Sequence, residues 1–153
     1  MNPLSEEIKK RIVQEIENQG FIVFDIKWIT SADKSILRIY TDKEWGGITL
    51  QECSFLSRIV STVLDEMSFT DFPYILEVSS PGIDWPLKRL EDFKRVKGRR
   101  VKIILKNTPS DSIEGDLIDV DEQGNVYLQD AKNNLINVNL TDVLKAKQVI
   151  PEI

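Results

Sequence analysis

The chain has 153 residues, with 25 acidic against 20 basic side chains, one cysteine and no histidine. Its 41% apolar content supports one ordinary domain or two small ones. Without histidine there is no imidazole base or Ser-His-Asp triad, and Cys53 alone allows neither an internal disulfide nor a common Cys/His zinc site.

The opening residues, Met1-Asn2-Pro3-Leu4-Ser5-Glu6-Glu7, are acidic and lack the apolar core of a secretory signal. No apolar run approaches the roughly 18–20 residues of a membrane span. With a single cysteine, the expected location is a reducing cytoplasm.

A first helix is expected over 5–18, where Leu4, Ile8, Ile12 and Ile16 recur at i+4 and Ser5 caps the start. Two strands follow. Ile22, Phe24, Ile26 and Trp28 alternate with Val23, Asp25 and Lys27; Leu37 and Ile39 alternate with Arg38 and Tyr40. Ser31-Ala32-Asp33-Lys34 is the hairpin loop between them. After Gly46-Gly47, Thr49 and Glu52 have the spacing of a capping box, and Cys53, Leu56, Val60, Val63, Leu64 and Met67 mark the apolar face of a second helix. A strand through Leu76 and Val78 completes an α-β-β-α-β sandwich. This order is KH-like, but the Gly-x-x-Gly loop of nucleic-acid-binding KH domains is not evident.

That strand runs into a corner. In Tyr74-Ile75-Leu76-Glu77-Val78-Ser79-Ser80-Pro81-Gly82-Ile83-Asp84-Trp85-Pro86-Leu87, Pro81-Gly82 is a turn dipeptide and Pro86 restrains the exit. Ser79 and Ser80 suit strand-end caps; no base stands near to make either a nucleophile. Glu77, Ser79, Ser80, Pro81, Gly82, Asp84 and Pro86 together form a fixed hinge block.

The same string resembles the central signature of the bacterial ribosome maturation factor RimP family. The resemblance continues upstream in Gly47-Ile48-Thr49-Leu50, Cys53, Ser57-Arg58, Val60-Ser61 and Leu64-Asp65, and downstream in Phe93, Arg95, Gly98, Ala146 and Val149-Ile150-Pro151. The family usually has arginine where this chain has Trp85.

Beyond Pro86 a short helix is expected through Leu90, Phe93 and Val96. Strands are then expected over 101–105, 113–120, 125–128 and 135–140, with a single turn over 142–146 and a last short strand. This spacing suggests a small SH3-like or Sm-like barrel. The expected α+β architecture is therefore an N-terminal sandwich domain over 1–86 and a C-terminal β-barrel domain over 87–153. The RimP resemblance implies the same two domains.

Charge is uneven. Residues 1–87 carry a net of −6, whereas 88–106 hold nine basic residues against Glu91 and Asp92. Lys88, Arg89, Lys94, Arg95, Lys97, Arg99 and Arg100 are candidate RNA contacts, because a basic strip on an acidic body seats phosphates in one orientation. The plainer reading is a solvated face of paired charges. Trp85 either stacks on a partner or is a packing residue that pins the two domains together, and packing is preferred. Asp116, Asp119, Asp121 and Glu122 are candidates for meeting a basic ribosomal protein, or a solubilising hairpin.

The RimP resemblance implies a non-catalytic assembly factor without cofactor or metal. It implies binding to the free immature small ribosomal subunit, contact with ribosomal RNA, and contact between the barrel and the small-subunit protein numbered twelve. A monomer is expected, since no long amphipathic seam demands a dimer. The alternatives are an Sm-like RNA-binding module without ribosome specificity and a carboxylate-based hydrolase.

Overall fold

The computed structural model describes residues 2–150; Pro151, at the end of the RimP-like string, lies outside the described residues. The chain divides into two compact units. One holds the residues up to Lys43 together with Gly47–Pro81; the other holds Glu44–Gly46 and the chain from Gly82 onward.

The first unit runs α1 (Glu6–Asn18), β1 (Ile22–Thr30), β2 (Ser35–Asp42), α2 (Leu50–Glu66) and β3 (Ile75–Ser79). Ser5 caps α1 by accepting the Ile8 N–H at 3.2 Å. The expected capping box opens α2: the Thr49 hydroxyl accepts the Glu52 N–H and the Glu52 carboxylate accepts the Thr49 N–H, both at 3.0 Å. Ile12 and Ile16 of α1, Leu56 and Val60 of α2, and Leu37 and Ile39 of β2 share one core and are fully buried. β1 and β2 form an antiparallel hairpin, and β3 lies parallel to β2. A parallel neighbour needs a crossover, which α2 supplies.

Strict alternation does not hold through β1. A bulge between Val23 and Asp25 shifts the register. It lets partly buried Val23 pack against the core beside Ile26 and Trp28, while Phe24 is buried as well. Trp28 also sets its ring edge against Phe69, with centroids 5.6 Å apart.

The second unit contains α3 (Leu90–Lys94), β4 (Arg100–Leu105), β5 (Ser112–Val120), β6 (Asn125–Gln129), β7 (Leu135–Asn139) and β8 (Val143–Gln148). Its strands form one antiparallel sheet in the order β7-β6-β5-β4-β8, compatible with an SH3-like barrel. Leu87, Phe93, Val96, Val101, Ile103 and Leu117 lie in its core.

The turn expected over 142–146 is displaced. A 3-10 turn spans Leu140–Asp142 instead, and Val143 already belongs to β8. The Asn139 side chain accepts the Thr141 N–H at 3.0 Å and starts the turn early. Pairing of Val143 with Leu105 then holds the following residues extended.

Several carboxylates in turns and ion pairs are held below their ordinary range. Asp121 owes this to the Asn125 side chain, Asp130 to the Asn134 backbone N–H, Glu52 to the Thr49 backbone N–H and Asp119 to the Lys97 ammonium. A depressed folded pKa contributes stability that is present above the unfolded value and lost as pH falls through the folded one. The chain has no histidine to titrate near neutrality. The thermal midpoint is therefore expected to stay level between about pH 6 and 8 and to fall below about pH 4. A midpoint followed by circular dichroism across that range checks it; a steep change around neutrality would contradict it.

Candidate functional site

The segment that follows the corner, Trp85 to Arg89, is held by a residue that sequence reasoning counted only as a charge. Asp92 is 2% exposed, at the third position of α3. Its Oδ2 accepts the backbone N–H of Arg89 at 2.8 Å and of Lys88 at 3.0 Å. Its Oδ1 accepts the Trp85 indole N–H at 3.1 Å. The recognisable signal is an acid three residues after the helix cap; Arg89 has no acceptor to return the bond, so only half a capping box is present. Trp85 is thus engaged by Asp92 within the second unit.

The corner itself is backbone chemistry. Gly82 has φ +83°, a left-handed conformation that favours glycine, and its carbonyl accepts from the Arg95 guanidinium at 3.1 Å. At the far end of the block, the Leu87 N–H donates to the Ala146 carbonyl on β8 at 3.0 Å. Glu77 lies upstream in β3 and pairs with Arg38 of β2 at 2.8 Å. Ser79 ends β3, while Ser80, Asp84 and Pro86 are near it in sequence and exposed.

The basic strip does not survive as one surface. Arg95 is 3% exposed, which corrects its assignment as an RNA contact: its guanidinium serves the hinge. Lys97 is also withdrawn. Its side chain is 10% exposed, pairs with Glu44, reaches Asp119 at 3.1 Å and sits 5.4 Å from the Trp45 ring centroid. The Glu44 carboxylate is the main cause of its raised pKa. Lys94 pairs with Glu122 at 3.4 Å, and Arg89 stands 3.6 Å from Asp92. Lys88 is exposed, and Arg99 and Arg100 are half-buried. Periodicity missed this sorting because consecutive cations along a short helix and strand point to different sides.

The acidic candidates separate too. Asp121 closes its own turn, accepting from the Asn125 backbone at 2.9 Å and the Tyr127 hydroxyl at 3.1 Å. Asp119 is held by Lys97, while Asp116 and Glu122 remain exposed.

A groove of about 590 Å³ lies in the second unit, lined in part by Lys88, Lys102, Lys145 and Lys147 with Ile104 and Leu144 between them. Two of these lysines belong to β8 and none was singled out by sequence except Lys88. Cys53, half-buried on α2, has its thiol pKa pushed up by burial, which makes it a weak nucleophile. Among the described residues, no three His, Cys, Asp or Glu side chains gather to hold a metal ion, and no helix is long and apolar enough to cross a membrane.

These features define an α+β protein of two compact units whose accessible chemistry is charged surface. Residues 11–84 match the family model described as the RimP N-terminal domain. This match makes the first unit similar to the N-terminal domain of the RimP family and supports a general role in ribosome maturation.

Proposed function

We propose that this protein binds the free, immature small ribosomal subunit in the cytoplasm and promotes its maturation without catalysis. The observation that carries the reading is the RimP N-terminal domain match over residues 11–84. The N-terminal sandwich supplies a folded acidic body, and the hinge block sets the entry into the barrel. Cations of the second unit meet ribosomal RNA phosphates. The exposed acids Asp116 and Glu122 meet a basic ribosomal protein, the small-subunit protein numbered twelve. The protein acts as a monomer and needs no cofactor.

Co-sedimentation with purified small subunits, free against assembled, across a salt series tests this. Selective, salt-weakened binding to the free subunit is expected. Asp116→Lys plus Glu122→Lys should weaken capture of the isolated protein numbered twelve by about tenfold, since reversed charges repel a basic partner. A folded chain that binds neither particle at low salt would overturn the reading.

A further inference from the structure

We infer that the groove beside β8 is an RNA-strand site, with ammonium groups of Lys88, Lys102, Lys145 and Lys147 on phosphates and the Ile104–Leu144 floor under a sugar or base. This rests on the proposed association with ribosomal RNA and names where the contact falls.

Three observations carry it. The first is register. Lys102 of β4 and Lys147 of β8 stand directly opposite each other, and Lys145 opposes Ile104 two residues along. Like charges directly opposed across a ladder repel. Glu114 on β5 flanks Lys102 from the other side, and Asp84 is the one acid in the groove lining. None of the four lysines forms an ion pair with the described residues, whereas Lys94 and Lys97 do. A bound polyanion would remove the repulsion.

The second is contrast. The whole chain is acidic, with a net charge of −5, so a concave surface rimmed by four lysines is a local reversal that directs an anion to one place. The third concerns the shape of the ligand. β8 ends the sheet, and its outward edge would invite an added peptide strand. The Leu87 N–H already occupies the Ala146 carbonyl on that edge. An extended acidic peptide therefore lacks the backbone ladder that gives strand addition its affinity. A nucleic-acid strand needs no ladder, only spaced cations and an apolar bed. The aliphatic floor has no aromatic platform, so binding should tolerate any base sequence.

The test is fluorescence anisotropy with a labelled mixed-sequence single-stranded RNA of about 12 nucleotides. The full chain is compared with Lys102→Gln plus Lys147→Gln, and with Lys10→Gln plus Lys34→Gln as a control on exposed residues of the first unit. Wild type should bind with a steep salt dependence. The groove variant should weaken binding about tenfold and lower the log–log salt slope by about 1.4, two phosphates' worth for a single strand. The control should match wild type, and circular dichroism should be unchanged throughout.

Equal binding by groove variant and wild type would overturn the site while leaving the assembly reading intact. Absence of RNA binding by wild type at low salt would overturn it too, with subunit co-sedimentation deciding separately whether the assembly reading stands. Equally tight binding of polyglutamate of matched charge, lost in the same variant, would assign the groove to an acidic protein instead and also overturn the RNA site.

Discussion

Asp92→Ala is expected to lower the stability of the second unit by about 3 kcal/mol, because it removes the acceptor of three part-buried donors at once. The carboxylate accepts from the Arg89 and Lys88 backbone N–H groups and from the Trp85 indole at 2.8–3.1 Å. An unsatisfied buried donor costs about 1–3 kcal/mol, and partial rehydration keeps the total below the sum of three. The loss should appear as a lower urea midpoint and a red shift of Trp85 emission, as the ring leaves its bonded position. Asp92→Asn separates shape from charge. One carboxamide oxygen can still accept, but its NH₂ faces a donor, so an intermediate loss is expected. An Asp92→Ala protein with an unchanged midpoint would show that the hinge block is held by the Leu87–Ala146 bond and packing instead.

Gly46→Ala is expected to cost about 2–3 kcal/mol, from left-handed backbone strain of about 1–2 kcal/mol plus steric overlap. Gly46 has φ +68°, and a Cβ there would stand 2.5 Å from the Arg95 carbonyl oxygen and 2.8 Å from the Arg99 guanidinium. The guanidinium can swing aside; the backbone carbonyl cannot move without disturbing the end of α3. The strain acts on a three-residue segment that the second unit holds by several contacts. Trp45 donates its N–H to the Lys94 carbonyl at 3.0 Å, and Glu44 pairs with Lys97. Release of that segment sets an upper limit on the cost. Hydrogen exchange at the Trp45 amide reports it directly: protection should be lost in Gly46→Ala. Retained protection with an unchanged midpoint would mean that the Arg95 carbonyl accommodates the methyl group.

These two residues also show where sequence reading stops. Local chemistry is written in short patterns, so α1, the Thr49–Glu52 box and the α-β-β-α-β order were readable, as were most strands of the second unit. Ser5 caps at the position its chemistry favours, and Pro81-Gly82 marks a corner because few residue pairs make one. The family signature was equally local: a contiguous string and its flanks, and the match over 11–84 covers the upstream part of it.

The candidate site was less legible, for a physical reason. Whether a charged side chain meets solvent depends on neighbours that are remote in sequence. Arg95 and Lys97 look like members of one basic strip, but the first is committed to the Gly82 carbonyl and the second to Glu44 and Asp119. The lysines that do gather come from three separate stretches, joined when β4 paired with β8 and Leu87 bonded to Ala146. The sequence by itself determined the elements, the corner and the family resemblance, because those follow from nearest-neighbour geometry and a contiguous signature. Only the tertiary structure decided which charges are spent on internal partners and which are left to face another molecule, because that selection is made by strand register and burial.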